Sequence, residues 1–221
     1  MEGTMKKIAS CLLAVTMMAP LNSLSIADEP KHDTDSEIIT LNVALFVDPR
    51  LNNRSGKFGR LVEEVSAELE KEVGLKLCIT STHLFRTEIN QSKEKINLYL
   101  DGFAPDEPYR VIFSQTNPRC DQVKYLLPKD TCGNAQDRLL GAADRMFCRF
   151  IFIFNPTDQF FRKSDGGQCL ASVVMKHEIG HLLGLSHNDD KNSIMYYCPV
   201  DSKGQWSPDE IKEMRCSLES R

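Results

Sequence analysis

The residues best equipped for chemistry lie together, in the stretch His177-Glu178-Ile179-Gly180-His181-Leu182-Leu183-Gly184-Leu185-Ser186-His187. On a helix, residues four apart share one face, one turn apart. His177 and His181 can therefore present two imidazoles to one ion. Glu178 stands about 100° further round the helix, so it can flank that ion and face a water instead of ligating. A third ligand so soon after His181 requires the helix to end. Gly184 permits a left-handed turn there, and His187 can then swing back to the ion. Three imidazoles leave the fourth zinc position open, which is the arrangement of a catalytic site. The pattern fixes five positions, and three of the five histidines in the chain fall on it. At about one in twenty per position, chance supplies it about once in three million windows. A helix that merely carries two satisfied histidines is the weaker reading.

These groups need a frame. From Leu170 a helix carries the motif, with Val173, Val174, Leu182 and Leu183 on its other faces. Upstream, Ile38–Val47 is dense in β-formers and reads as a first strand. Phe58, Leu61, Val62, Val65 and Leu69 recur at helical spacing between Phe58 and Glu72, and Gly74 stops that helix. Leu75–Thr80 reads as a second strand, Ile96–Leu100 as a third and Tyr109–Ser114 as a fourth. Gln115–Gln136, rich in Asn, Pro, Asp, Gly and Cys, reads as a long surface loop. Leu139–Ala143 suits a short edge strand, and Phe147–Phe154 a buried one. Ser207, with Glu210 three residues on, is a capping signature for a last helix. This order predicts an α/β (α+β) fold with one mixed, twisted sheet, an active-site helix and a smaller C-terminal subdomain ending in a helix.

Composition bounds the rest. Residues 1–27 have two lysines, an apolar run from Ile8 to Met18 and small residues at Ser25 and Ala27. That is the anatomy of a signal peptide cut before Asp28, and the run is short for a membrane-spanning helix. Residues 28–37 read as a flexible polar arm and residues 38–221 as one catalytic domain. A secreted, extracellular monomer with no stable membrane insertion is expected. The formal charge of −4 gives no reason to expect a nucleic-acid partner. Seven of the eight cysteines lie beyond the leader, at Cys78, Cys120, Cys132, Cys148, Cys169, Cys198 and Cys216. In an exported protein they read as disulfides. An odd number leaves one over; Cys78 is the candidate for a buried free thiol, and Cys198–Cys216 for a clasp.

The extended histidine motif, followed by Ser193-Ile194-Met195-Tyr196, resembles the metzincin clan of zinc endopeptidases, whose signature ends in a methionine turn. The resemblance is good from Cys169 to about Arg215. It implies one catalytic Zn2+ held by His177, His181 and His187, with Glu178 as general base and Met195 as an apolar floor. It implies a protein or peptide substrate laid along an edge strand, here Gly141, Ala142 and Ala143. The short link from His187 to Met195 is similar to that of matrixins, which have proline where Tyr197 stands. A tyrosine at that place is similar to astacins and serralysins, making Tyr197 a candidate oxyanion stabiliser. Asn188 matches no usual subfamily residue. Two rival readings remain at this point. One is a secreted, catalytically weak scaffold that only binds, against which the intact Glu178 argues. The other is a toxin-like host-interaction factor with a single target.

Overall fold

The structure, a computed structural model, describes residues 37–87, 93–107, 109–116, 118, 139–143, 149–163, 168–197 and 204–220, all within the unit Ser36–Arg221. The expected leader, arm (apart from Glu37) and most of the Gln115–Gln136 loop lie outside the described residues. Among the described residues, no helix is long and apolar enough to cross a membrane.

Strand β1 (Ile39–Val47) is followed by a 3-10 turn at Pro49–Arg54 and helix α1 (Ser55–Val73). Gly74 ends α1 at φ +76°, a conformation that costs glycine nothing. Strand β2 (Leu75–Leu84), helix α2 (Lys93–Phe103) and strand β3 (Tyr109–Ser114) come next. Strands β4 (Gly141–Ala143) and β5 (Phe150–Phe154) precede α3 (Leu170–Leu182) and α4 (Pro208–Glu219). The sheet order is β2-β1-β3-β5-β4. The first four strands in that order are parallel, and β4 alone runs antiparallel, at the edge beside β5. The sheet is therefore mixed, as the element order predicts.

Alternation along the strands sorts the core into two layers. Val43, Leu45, Val47, Val111, Phe113, Ile151 and Ile153 belong to a cluster with α1 and α3. Ala44, Phe46, Ile112, Phe150, Phe152 and Phe154 belong to a second cluster, with Ile96 and Leu100 of α2. In β5 the isoleucines thus serve one face and the phenylalanines the other. Phe58 of α1 stacks on Phe113, with ring centroids 4.2 Å apart. Helix α3 is buried continuously from Ala171 to Leu182, so whatever it carries is held inside the molecule.

Two expectations are corrected. Ile96–Leu100 is part of helix α2 and not a strand. Ile96 and Leu100 are fully buried, while Leu98 between them is 76% exposed. The spacing of four governs that segment; a strand would have put Leu98 on the same face as its apolar neighbours. The cysteines also differ. Cys78, Cys169 and Cys216 are free thiols, so the Cys198–Cys216 clasp is not formed. Cys216 lies on the outward side of α4, whose buried side chains are Glu210, Met214 and Leu218. Cys78 is free but exposed, because β2 ends the sheet and turns alternate residues to solvent. Cys120, Cys132, Cys148 and Cys198 lie outside the described residues.

Candidate metal centre

The end of α3 explains how three histidines meet. The N–H of Leu185 donates to the Gly180 carbonyl at 2.9 Å, and that of Gly184 to the His181 carbonyl at 3.1 Å. This pair of bonds closes a helix with a left-handed residue, and Gly184 has φ +104°. The turn reverses the chain and brings the Leu185 carbonyl back over α3. There it accepts a hydrogen bond from Nδ1 of His181 at 2.9 Å. Likewise, the Ile194 carbonyl accepts from Nδ1 of His177 at 2.7 Å. A carbonyl can only accept, so both rings carry their proton on Nδ1. Their Nε2 lone pairs are left to point elsewhere.

They point at a common centre. Nε2 of His187 lies 3.1 Å from that of His177 and 3.0 Å from that of His181. The three ligand atoms form a group that can hold a metal ion. Zinc–imidazole distances of about 2.0–2.1 Å place tetrahedral ligand nitrogens about 3.3 Å apart, close to the spacing seen. Lone pairs that face one another at this range repel unless a cation sits between them. The donor set therefore fits the ion that the motif implies. His177 and His181 are buried and His187 is half-buried, which gives the centre one more open side.

Glu178 is also buried, at 5% exposure. Its carboxylate lies against the start of β4. A Cβ at Gly141 would come within 2.5 Å of Glu178 Oε1 and 2.7 Å of its Cγ. Glycine there lets the Glu178 carboxylate and the edge strand share one space. Met195 is fully buried and packs under α3, where a Cβ on Gly180 would overlap its sulfur.

Residues 134–215 match the family model Peptidase_M10, described as Matrixin. Over that stretch, less than half of the chain, the sequence is similar to the matrixins. Among solved structures it is similar to metalloproteinase-II from Bacteroides fragilis, at 16% identity and a TM-score of 0.46. That likeness covers 81% of this chain and 53% of the other. It is also similar to a chain in a structure of a chaperone-substrate complex, at 15% identity, a TM-score of 0.47, and coverage of 83% and 38%. The chain thus spans about half the length of the first and less of the second. No curated protein sequence matches it.

Around the three histidines, side chains tie the Ser193–Tyr196 turn to its neighbours. The Asn188 backbone N–H donates to the Met195 carbonyl at 3.1 Å. The Asn188 amide donates to Ser193 Oγ at 3.0 Å and to Glu210 Oε1 at 2.6 Å. The Ser193 hydroxyl donates to the same Glu210 oxygen at 2.5 Å and accepts from the Met195 N–H at 2.8 Å. The other Glu210 oxygen accepts from the Ser207 N–H at 2.7 Å, completing the capping box of α4. One buried carboxylate thus joins the third histidine's chain, the methionine turn and the last helix. Asn188, odd by subfamily pattern, has a local reason here. Tyr197 is 60% exposed, with its ring 4.3 Å from that of Tyr196.

Sequence reasoning named Glu210 only as a cap, and passed over Ser193 and Gly180. Gly180 did carry a signal, since glycine inside a helix costs about 1 kcal/mol against alanine and implies a close neighbour. The multiple duty of Glu210 and Ser193 had no such signal, because it depends on segments that meet only in the fold.

Proposed function

We propose that the protein is a secreted zinc metalloendopeptidase that hydrolyses peptide bonds in protein substrates. The observation that carries this is the convergence of three Nε2 atoms beside a buried Glu178, whose carboxylate lies against an edge strand. His177, His181 and His187 are the residues that would hold the ion. Once bound there, zinc supplies Lewis acidity toward a carbonyl and makes water more acidic.

The chain's own groups do the rest. The backbone of Gly141–Ala143 offers hydrogen bonds to an extended peptide, which adds as a further strand. This sets the scissile carbonyl near the histidines. The Glu178 carboxylate takes a proton from the attacking water and passes it to the leaving amine nitrogen. Tyr197, which is exposed, is the candidate donor to the developing oxyanion. Export follows from the N-terminal leader pattern and is part of the proposal.

Glu178→Gln keeps shape and removes the base. It is expected to retain zinc at the wild-type stoichiometry while losing at least about 10²-fold in kcat on a mixed peptide library. Turnover by that variant at the wild-type rate would overturn the proposal. A library left uncut by the zinc-loaded wild type would favour the binding scaffold.

A further inference from the structure

Lys176 stands immediately before the first histidine, and it is 1% exposed. Its ammonium donates to Glu68 Oε2 on α1 at 2.6 Å and to the Gly204 carbonyl at 3.1 Å. It also lies 5.7 Å from the centroid of the Trp206 ring. Burying an ammonium is costly, and an apolar side chain of similar volume often packs there at no loss of stability. What the charge adds over such a side chain is direction. It fixes one carbonyl in one place.

That carbonyl belongs to a constrained loop. Gly204 has φ +69°. A Cβ on it would overlap the Gln168 side-chain oxygen and come within 3.2 Å of Val173 Cγ2, so the loop is pressed onto the first turn of α3. The next residue, Gln205, accepts the Ile194 N–H at 2.6 Å. The carbonyl of Ile194 is the group that accepts from Nδ1 of His177. The path from Glu68 through Lys176, Gly204, Gln205 and Ile194 therefore ends on the imidazole next to where it began.

We propose that Lys176, held by Glu68, is a positioning residue that sets the orientation of the His177 ring through the Gly204–Gln205 strap. The proposal rests on the reading of the histidines as a metal centre. Lys176 does not touch the ion or the substrate. It fixes the Gly204 carbonyl, the adjoining Gln205 carbonyl holds the Ile194 N–H, and the Ile194 carbonyl holds the ring; groups in that outer position control how well a metal is held.

Two readouts on the full chain test this. Long-range 1H–15N NMR of the metal-free protein follows the His177 Nδ1–H and its exchange with water. Competition against a chelator gives the zinc affinity. Lys176→Met is expected to speed Nδ1–H exchange about tenfold and to weaken zinc binding about tenfold. Glu68→Gln should move both in the same direction by less. A folded Lys176→Met with exchange and affinity within twofold of wild type overturns the proposal. If Lys176→Met does not fold, Glu68→Gln decides, at a site 35% exposed; unchanged exchange there overturns it. Failure of the metal reading looks different, because the wild type would then bind no zinc. The His177 exchange rate would still judge the tether.

Discussion

The β1–α1–β2 unit and the chain around the methionine turn, residues 184–197 and 204–207, are held by different forces. In the first, Phe58, Leu61, Val62, Val65 and Leu69 of α1 bury against the sheet. The contacts are apolar and many, so no single atom decides the geometry. In the second there is little regular structure, and order comes from directed bonds. Glu210 accepts from Asn188, Ser193 and Ser207, Lys176 holds Gly204, and two carbonyls hold two histidines. Apolar packing tolerates changes that keep volume. A directed bond fails when one partner is lost, and a buried polar group is then left unpaired at a cost of about 1–3 kcal/mol. The first region supplies stability, and the second holds the histidines of the candidate metal centre.

Three substitutions test that division. The largest effect on stability should come from Phe58→Ala, which removes a fully buried ring stacked on Phe113. A loss of about 3–5 kcal/mol is expected in denaturant unfolding, with unchanged zinc affinity in the protein that remains folded. Weakened zinc binding at near-normal stability would show that the apolar unit also tunes the site. Glu210→Gln should cost less, about 1–3 kcal/mol, but lower zinc affinity about tenfold by loosening Asn188 beside His187. If calorimetry finds the stability loss and the chelator assay finds no change in affinity, the second region is merely structural.

The smallest effect concerns Asp48, at the end of β1. Burial alone would raise its pKa, but hydrogen bonds from the Arg50 side chain and backbone and from the Gln115 backbone outweigh this and hold it below the usual 3.8. A carboxylate with a depressed folded pKa contributes stability that is complete above its unfolded value. The contribution is lost as pH falls through the folded one. The Arg50 side chain is 61% exposed, so solvent screens the pair and the gain is small. Wild type should therefore lose slightly more stability than Asp48→Asn on acidification below about pH 4. Parallel curves of urea midpoint against pH for the two proteins would remove Asp48 from the account.

By itself the sequence determined whatever rests on local periodicity. The α1 stripe, the Gly74 stop, the helix under His177 and His181, and the left-handed turn at Gly184 follow from spacing within a few residues. So does the pairing of His177 with His181, since positions four apart on a helix must share a face. Where a short apolar run fits two periods, local reading failed. Ile96–Leu100 became a helix because Ile96 and Leu100 join the core cluster that holds Phe46 and Ile112, a partner invisible within five residues. The Cys198–Cys216 clasp failed for the same reason, because pairing depends on where distant segments meet. Only the tertiary structure decided that Gly141 abuts Glu178, that Glu210 reaches Asn188 and Ser193, and that Lys176 spans from Glu68 to Gly204. Each of these joins residues far apart in the chain through one directed contact. Such contacts leave no period in the sequence, because they depend on which distant segments meet in the fold.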